Sequence, residues 1–393
     1  MGQRIELLSS LAQVMMDEPR LDRRPMLDLL RRELPWLQPS KLDYTPWSHA
    51  EKRHPSTGFV VCVGQNKFIY AVHLIRTLRQ VLNSTLPMQI AYVGDDDLSA
   101  QDRAELKTEG VDIETIDTLG TFDGSRAGLA AGWSMKPFAV LASRFQRVIL
   151  VDADIVFLQK PDDLFDTEPG LIETGTMFWH DRAIQWLNPP MREWFQTLMT
   201  GSPSAMLQKG LMWKSDIYVE MESGVVFLDK GRAGVFMSIA FAAWMNSVGV
   251  VDGMKKHVYG DKESYWMAAE LSSTPYYFSP NYAGAIGTPA NDTAICSTQV
   301  AHTDPRGRLF WINASLRHNK KHGPEFANLT HWMPGSQEFP DGRHWVMGNK
   351  SVWCYDGQPG PTSLEGTEVE AVLQRELAVA AVADEQYGAS HPL

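Results

Sequence analysis

An α/β fold built on a mostly parallel sheet is predicted by two observations. Short continuous apolar runs recur between residues 58 and 151, and amphipathic helical patterns alternate with them. Strands that are apolar on both faces are expected where helices cover both sides of a sheet, and strand–helix alternation is the pattern of parallel crossovers.

The first run, Phe59-Val60-Val61-Cys62-Val63, stops at Gly64 and passes into a helical pattern over residues 67–82. Residues 89–93 read as the second strand, and Ser99 caps a helix that extends to residue 108. A third strand is expected over residues 111–116, then a helix over 135–145 that leads into a fourth strand over 147–151. Ligands of such sheets sit outside the carboxyl ends of the strands.

Beyond about residue 170 the pattern turns irregular. Eleven of the thirteen tryptophans lie beyond residue 130, so the loops there are expected to build a pocket. Residues 1–56, helical and then interrupted by prolines, read as a stem or cap. The organised domain spans 57–355, and 356–393 reads as a linker followed by an appended helix.

Hydrophobic residues at 44% and charged residues at 21% describe a globular protein with a sizeable core. A formal charge of -11 argues against nucleic acid as a partner, because that affinity comes largely from Lys and Arg neutralising phosphates. An anionic ligand would need a few placed cations or a bound divalent metal. No apolar run of 18 residues is present, so no membrane span is expected in this chain, nor does its start read as a signal peptide.

Five of the ten asparagines open Asn-x-Ser/Thr sequons: Asn83, Asn291, Asn313, Asn328 and Asn349. They favour a secretory lumen, with Asn313 expected close to the site. Of the three cysteines, Cys62 reads as core packing, while Cys296 and Cys354 are either a disulfide or two buried thiols.

The most informative segment is Arg147-Val148-Ile149-Leu150-Val151-Asp152-Ala153-Asp154, an apolar strand that ends in two carboxylates. Desolvated and mutually repelled, they are economically explained by a bound Mn²⁺ or Mg²⁺, hard cations that take oxygen ligands and bridge to diphosphates. Glu222 precedes the apolar run 225–228 and would project from a strand end. Asp261 and Glu263 open a helix-like segment after Gly260. A carboxylate there could steady developing positive charge or act as a nucleophile, or simply complement a helix dipole.

His180 and Asp181 follow an aromatic strand and could make bidentate polar contacts to a ligand or form a structural salt bridge. Asp95, in Gly94-Asp95-Asp96-Asp97, could cap the next helix or approach a nucleotide. Trp266, Trp311 and Trp332 are the candidate aromatic stacking platforms for a ligand ring.

Several segments in order carry a family resemblance: 91–99, 131–139, 148–163, Gly175-Thr176-Met177-Phe178-Trp179-His180-Asp181-Arg182, 222–226 and 259–266. From about residue 58 to 353 the chain resembles the fungal Golgi α-1,3-mannosyltransferases, glycosyltransferases of the GT-A fold with an Asp-x-Asp motif. The resemblance implies GDP-mannose as a nucleotide-sugar donor, a divalent metal, transfer with retention and a mannosylated glycan or glycoprotein acceptor in the Golgi lumen or secretory pathway.

By likeness to glycogenin-like enzymes, Asp152, Asp154 and His302 would be the metal ligands. Lys136 would meet donor phosphate or the Asp pair, Gly64 would line the donor site, and Glu222 or Asp261 would act at the anomeric carbon. The competing readings are a related transferase using a UDP-sugar and a non-catalytic, lectin-like relative.

Overall fold

The computed structural model describes residues 2–391 except 19, 49–55, 123–126, 130–131, 185–190, 216–218, 321–322, 338–343 and 349–351. Sequon Asn349 and the loop residues 49–55 therefore lie outside the described residues. Strands β1 (Thr57–Cys62), β2 (Met88–Tyr92), β3 (Ile113–Asp117) and β4 (Arg147–Asp152) are mutually parallel in the spatial order β3-β2-β1-β4. β5 (Val156–Phe157) leaves this sheet. β6 (Thr176–His180) and β7 (Met221–Asp229) complete it, with β7 antiparallel to both β4 and β6.

The apolar runs are continuous because both faces are covered. Neighbouring residues of β1, Val60 and Val61, enter different apolar clusters, as do Leu150 and Val151 of β4. This bears out the α/β class and the mostly parallel sheet. The third strand starts two residues later than its apolar pattern suggests: Asp112 holds a turn at φ 53°, which leaves Val111 exposed. Ser99 caps the helix Ala100–Thr108 as expected, its side chain accepting from Asp102 N at 3.1 Å.

The remaining strands are β8 (Gly284–Gly287), β9 (Ala294–Ser297), β10 (Val300–Thr303), β11 (Leu309–Asn313), β12 (His331–Met333), β13 (His344–Met347), β14 (Trp353–Asp356) and β15 (Thr362–Ser363). A second sheet runs β15-β12-β8-β10-β11-β5, and a third runs β13-β14-β9. Cys296 on β9 and Cys354 on β14 stand directly opposite one another, 3.9 Å apart at Cα, and form a disulfide.

Both ends of the described chain pack onto this core. The helix Gly2–Asp17 sends Ile5, Leu8, Ala12 and Met15 into the same apolar cluster as Val60 and Val226. The helix Glu368–Tyr387 lies on the helix Phe68–Arg76, where Asp384 Oδ1 meets His73 Nε2 at 3.0 Å and accepts from Arg317 Nη2 at 2.6 Å.

Glu376, on that C-terminal helix, is fully buried, and neither carboxyl oxygen has a hydrogen-bond partner among the described residues. Burial pushes its carboxyl well above the usual range, so the folded chain keeps a proton that the unfolded chain releases above about pH 4.5. The folded state binds more protons, and stability must fall as pH rises from that value, by about 1.4 kcal/mol per unit until the raised pKa is reached. Glu376→Met, which replaces an unpaired polar group by an apolar one, is expected to stabilise the protein by about 1–3 kcal/mol at neutral pH. Urea midpoints of both proteins between pH 5 and 8 check this, and the gap should widen as pH rises.

Candidate active site

A cleft of about 1250 Å³ opens at one edge of the first sheet, at the carboxyl ends of β1, β2 and β4 and the start of β7. Antiparallel β7 brings its first residues to the same edge at which parallel β4 ends. Hence Asp152, Asp154 and Glu222 meet there although about seventy residues separate them in sequence.

Asp152 is the last residue of β4, and Asp154 sits in the turn that follows. Lys136 starts the helix Lys136–Ala142 and is buried behind Asp152, its Nζ 2.9 Å from Asp152 Oδ1 and 3.3 Å from Asp261 Oδ2. Its ammonium also donates to Ser223 O at 3.0 Å and Ser223 Oγ at 2.9 Å. Of the Asp pair, Lys136 thus meets Asp152. Burial opposes its charge, but Asp152 and Asp261 outweigh burial and raise its pKa.

Asp152 itself is pushed up to about 6 by burial, against the pull of Lys136. On Asp154, burial is overcome by Lys320 and Lys67, whose ammoniums face its carboxylate and hold it well below the usual range. Lys67, Lys136, Lys262 and Lys320 all line the cleft. A chain of net charge -11 has thus gathered four cations where an anionic ligand would enter.

Glu222 and Asp261 both line the cleft and are buried, with Glu222 Oε1 accepting from Gly224 N at 3.0 Å. Gly64 lines its β1 end, where a Cβ would come within 2.5 Å of Asp97 Oδ1. Cys62, expected as core, is only partly buried and reaches the cleft wall; burial raises its thiol pKa. Asn313, the sequon expected near the site, is indeed a lining residue.

Other expected residues are placed elsewhere. Asp95 pairs with Arg103 at 2.7 Å on the surface, whereas Asp96 and Asp97 line the cleft. His180 is stacked between Phe278 and Tyr282, its Nδ1 2.7 Å from Glu220 Oε1, and Asp181 is paired with Lys262. Neither is a lining residue of the cleft, and Asp181 reaches it only through Lys262.

His302 is corrected as a metal ligand. It faces Trp311 across the β10–β11 pair, ring stacked on ring at 3.8 Å, 1% exposed and outside the cleft lining. Both ring nitrogens lack a partner among the described residues, and burial lowers its pKa to about 3. Strand geometry explains the difference: the aromatic pair after the Gly returns as the antiparallel neighbour and covers the imidazole.

Trp266 and Trp311 are core residues and Trp332 packs beside β8, so none of the three is a cleft platform. The sequence reading missed Lys67, Lys320, Trp133 and Tyr259, all of which line the cleft. Trp133 and Tyr259 flank the singled-out Lys136 and Asp261, but nothing in the sequence marks either ring as exposed.

Among the described residues no three His, Cys, Asp or Glu side chains converge to hold a metal ion. The two carboxylates fit a hard divalent cation that would take its remaining oxygens from a diphosphate and water, since Asp154 is held ionised at the cleft.

Residues 56–304 match a protein-family model described as "Mannosyltransferase putative". The α-1,3-mannosyltransferase MNT3 of Saccharomyces cerevisiae is 25% identical over 315 residues, covering 69% of this chain and 48% of that protein. The α-1,3-mannosyltransferase MNN1 of the same yeast is 25% identical over 333 residues, covering 70% and 42%. The chain spans about half the length of the curated relatives it matches. Among solved structures, the mannosyltransferase Ktr4p of S. cerevisiae in complex with GDP superposes with a TM-score of 0.34 at 11% identity, over 68% of this chain and 84% of that one.

Proposed function

The chain belongs to this mannosyltransferase family, and from that premise we propose that it transfers mannose from GDP-mannose to a mannose-bearing glycan, with retention and in an α-1,3 linkage. The observation that carries the reading is the Asp152–Asp154 pair at the end of β4, facing a cleft with four lysines. Asp152 and Asp154 would hold a Mn²⁺ or Mg²⁺ ion, which when bound supplies charge neutralisation to the leaving diphosphate.

The chain's own groups account for the rest. Lys67 and Lys320, now against Asp154, stand where they can turn to phosphate oxygens. Lys136 fixes Asp152 at the end of β4 and Asp261 at the start of the helix Lys262–Leu271. Asp261 is held in an ion pair with that buried ammonium, so Glu222 is the carboxylate better placed to steady positive charge at the anomeric carbon. The disulfide and the sequons at exposed Asn83, Asn291 and Asn328 support residence in the secretory pathway. Among the described residues no helix is long and apolar enough to cross a membrane.

Nucleotide release from a panel of GDP- and UDP-sugars, with a mannose oligosaccharide and Mn²⁺, tests the reading. GDP release from GDP-mannose is expected, dependent on acceptor and abolished by EDTA. Release from a UDP-sugar instead would replace the donor, and silence across the panel would favour a lectin.

A further inference from the structure

Trp133 and Tyr259 are the only exposed Trp, Tyr or Phe side chains among the described residues, at 38% and 68%, and both line the same cleft. A chain that buries its other described aromatics wholly or in part leaves these two in water, where they forgo the burial that normally stabilises such rings. They come from distant segments. Trp133 lies in the turn ahead of Lys136–Ala142, and Tyr259 in the loop ahead of Lys262–Leu271.

Gly260, at φ +70°, brings the segments together: a Cβ there would lie 3.9 Å from Trp133 Cδ2. Each ring has an ammonium beside it, Lys255 Nζ 5.5 Å from the Trp133 centroid and Lys262 Nζ 5.6 Å from that of Tyr259.

The position of the rings selects their ligand. Gly64 and Asp97 meet at the β1–β2 end of the cleft, the Asp152–Asp154 pair lies at β4, and Trp133 touches the segment that carries Asp261. A nucleotide sugar with its phosphates at the Asp pair extends two ways, and the rings stand on the side of Asp261. They are also at the solvent edge, where a glycan must enter, whereas Lys136 and Asp261 beneath them are each 5% exposed at the side chain.

We propose that Trp133 and Tyr259 form the platform on which a hexose ring of the acceptor glycan stacks, with Lys255 and Lys262 donating to its hydroxyls. This rests on the transferase reading above.

Ligand-observed NMR titration with α-linked mannobiose, no donor present, tests it on wild type, Trp133→Ala, Trp133→Phe and Tyr259→Ala. The mannobiose Kd is expected to rise about tenfold in Trp133→Ala and about fivefold in Tyr259→Ala, while Trp133→Phe stays within about threefold of wild type. The Kd for GDP with Mn²⁺ should move less than about twofold in all three.

Unchanged mannobiose affinity in both alanine variants overturns the proposal, as does a wild type that does not bind mannobiose. Loss of GDP affinity in its place assigns the rings to the nucleotide and overturns it too. The nucleotide-release panel judges the transferase reading on wild type alone, so the two can fail separately.

Discussion

Asp154→Asn is expected to lower sugar transfer by at least about a thousandfold while leaving a folded protein. The carboxylate lies in the cleft at 7% residue exposure with Lys320 and Lys67 against it, and their charges outweigh burial to keep it ionised. The amide keeps the shape and one acceptor oxygen but loses the charge that a divalent cation needs from a hard ligand. The lost ion pairs have a modest structural cost because the Lys67 side chain is 37% exposed and Lys320 29%, so water can solvate both ammoniums. A stability loss of about 1–2 kcal/mol is expected, well below that of a fully buried pair. Steady-state nucleotide release, Mn²⁺ titration and a urea unfolding curve read the three effects. Activity within tenfold of wild type would remove Asp154 from the metal site and with it the central argument for a transferase.

How much of this site could be read from residues alone follows from how each residue reaches it. Asp152, Asp154 and Glu222 were legible because the end of an apolar run marks a strand end, and strand ends are where this class of sheet binds ligands. Gly64 and Asp261 were legible for the related reason that Gly64 ends an apolar run and Gly260 marks the turn before Asp261.

Lys67 and Lys320 were not, since they look like any surface lysine until the fold brings residues 154 and 320 together across 166 positions of sequence. His302 shows the opposite error. Its local pattern of His, Gly and aromatic pair was present, but β10 and β11 pair so that Trp311 covers the ring. A short motif reports spacing along the chain, and the hairpin decides which face its side chains take. The exposed pair Trp133 and Tyr259 was hidden for a similar reason, because aromatic residues carry a burial expectation that only the folded surface can contradict.

Lys136→Met should be the most destabilising single change at the site, by about 3–5 kcal/mol, and should also abolish transfer. The side chain is 5% exposed; its ammonium ion-pairs with Asp152 and Asp261 and donates to Ser223 O and Oγ. Methionine fills most of its volume, so packing changes little, but Asp152 and Asp261 are then left facing each other without a counterion. Asp261 has a side chain only 5% exposed and cannot be rescued by water.

If that repulsion is the cause, neutralising one carboxylate should relieve it. The double variant Lys136→Met/Asp261→Asn is expected to be more stable than the sum of the two single changes by about 1–3 kcal/mol, as a double-mutant cycle of urea unfolding would measure. Transfer should stay lost in the double variant, since restoring charge balance does not restore the group that fixes Asp152. Additive single effects would instead mean that the three side chains act independently, and that Lys136 stabilises the fold through Ser223 alone.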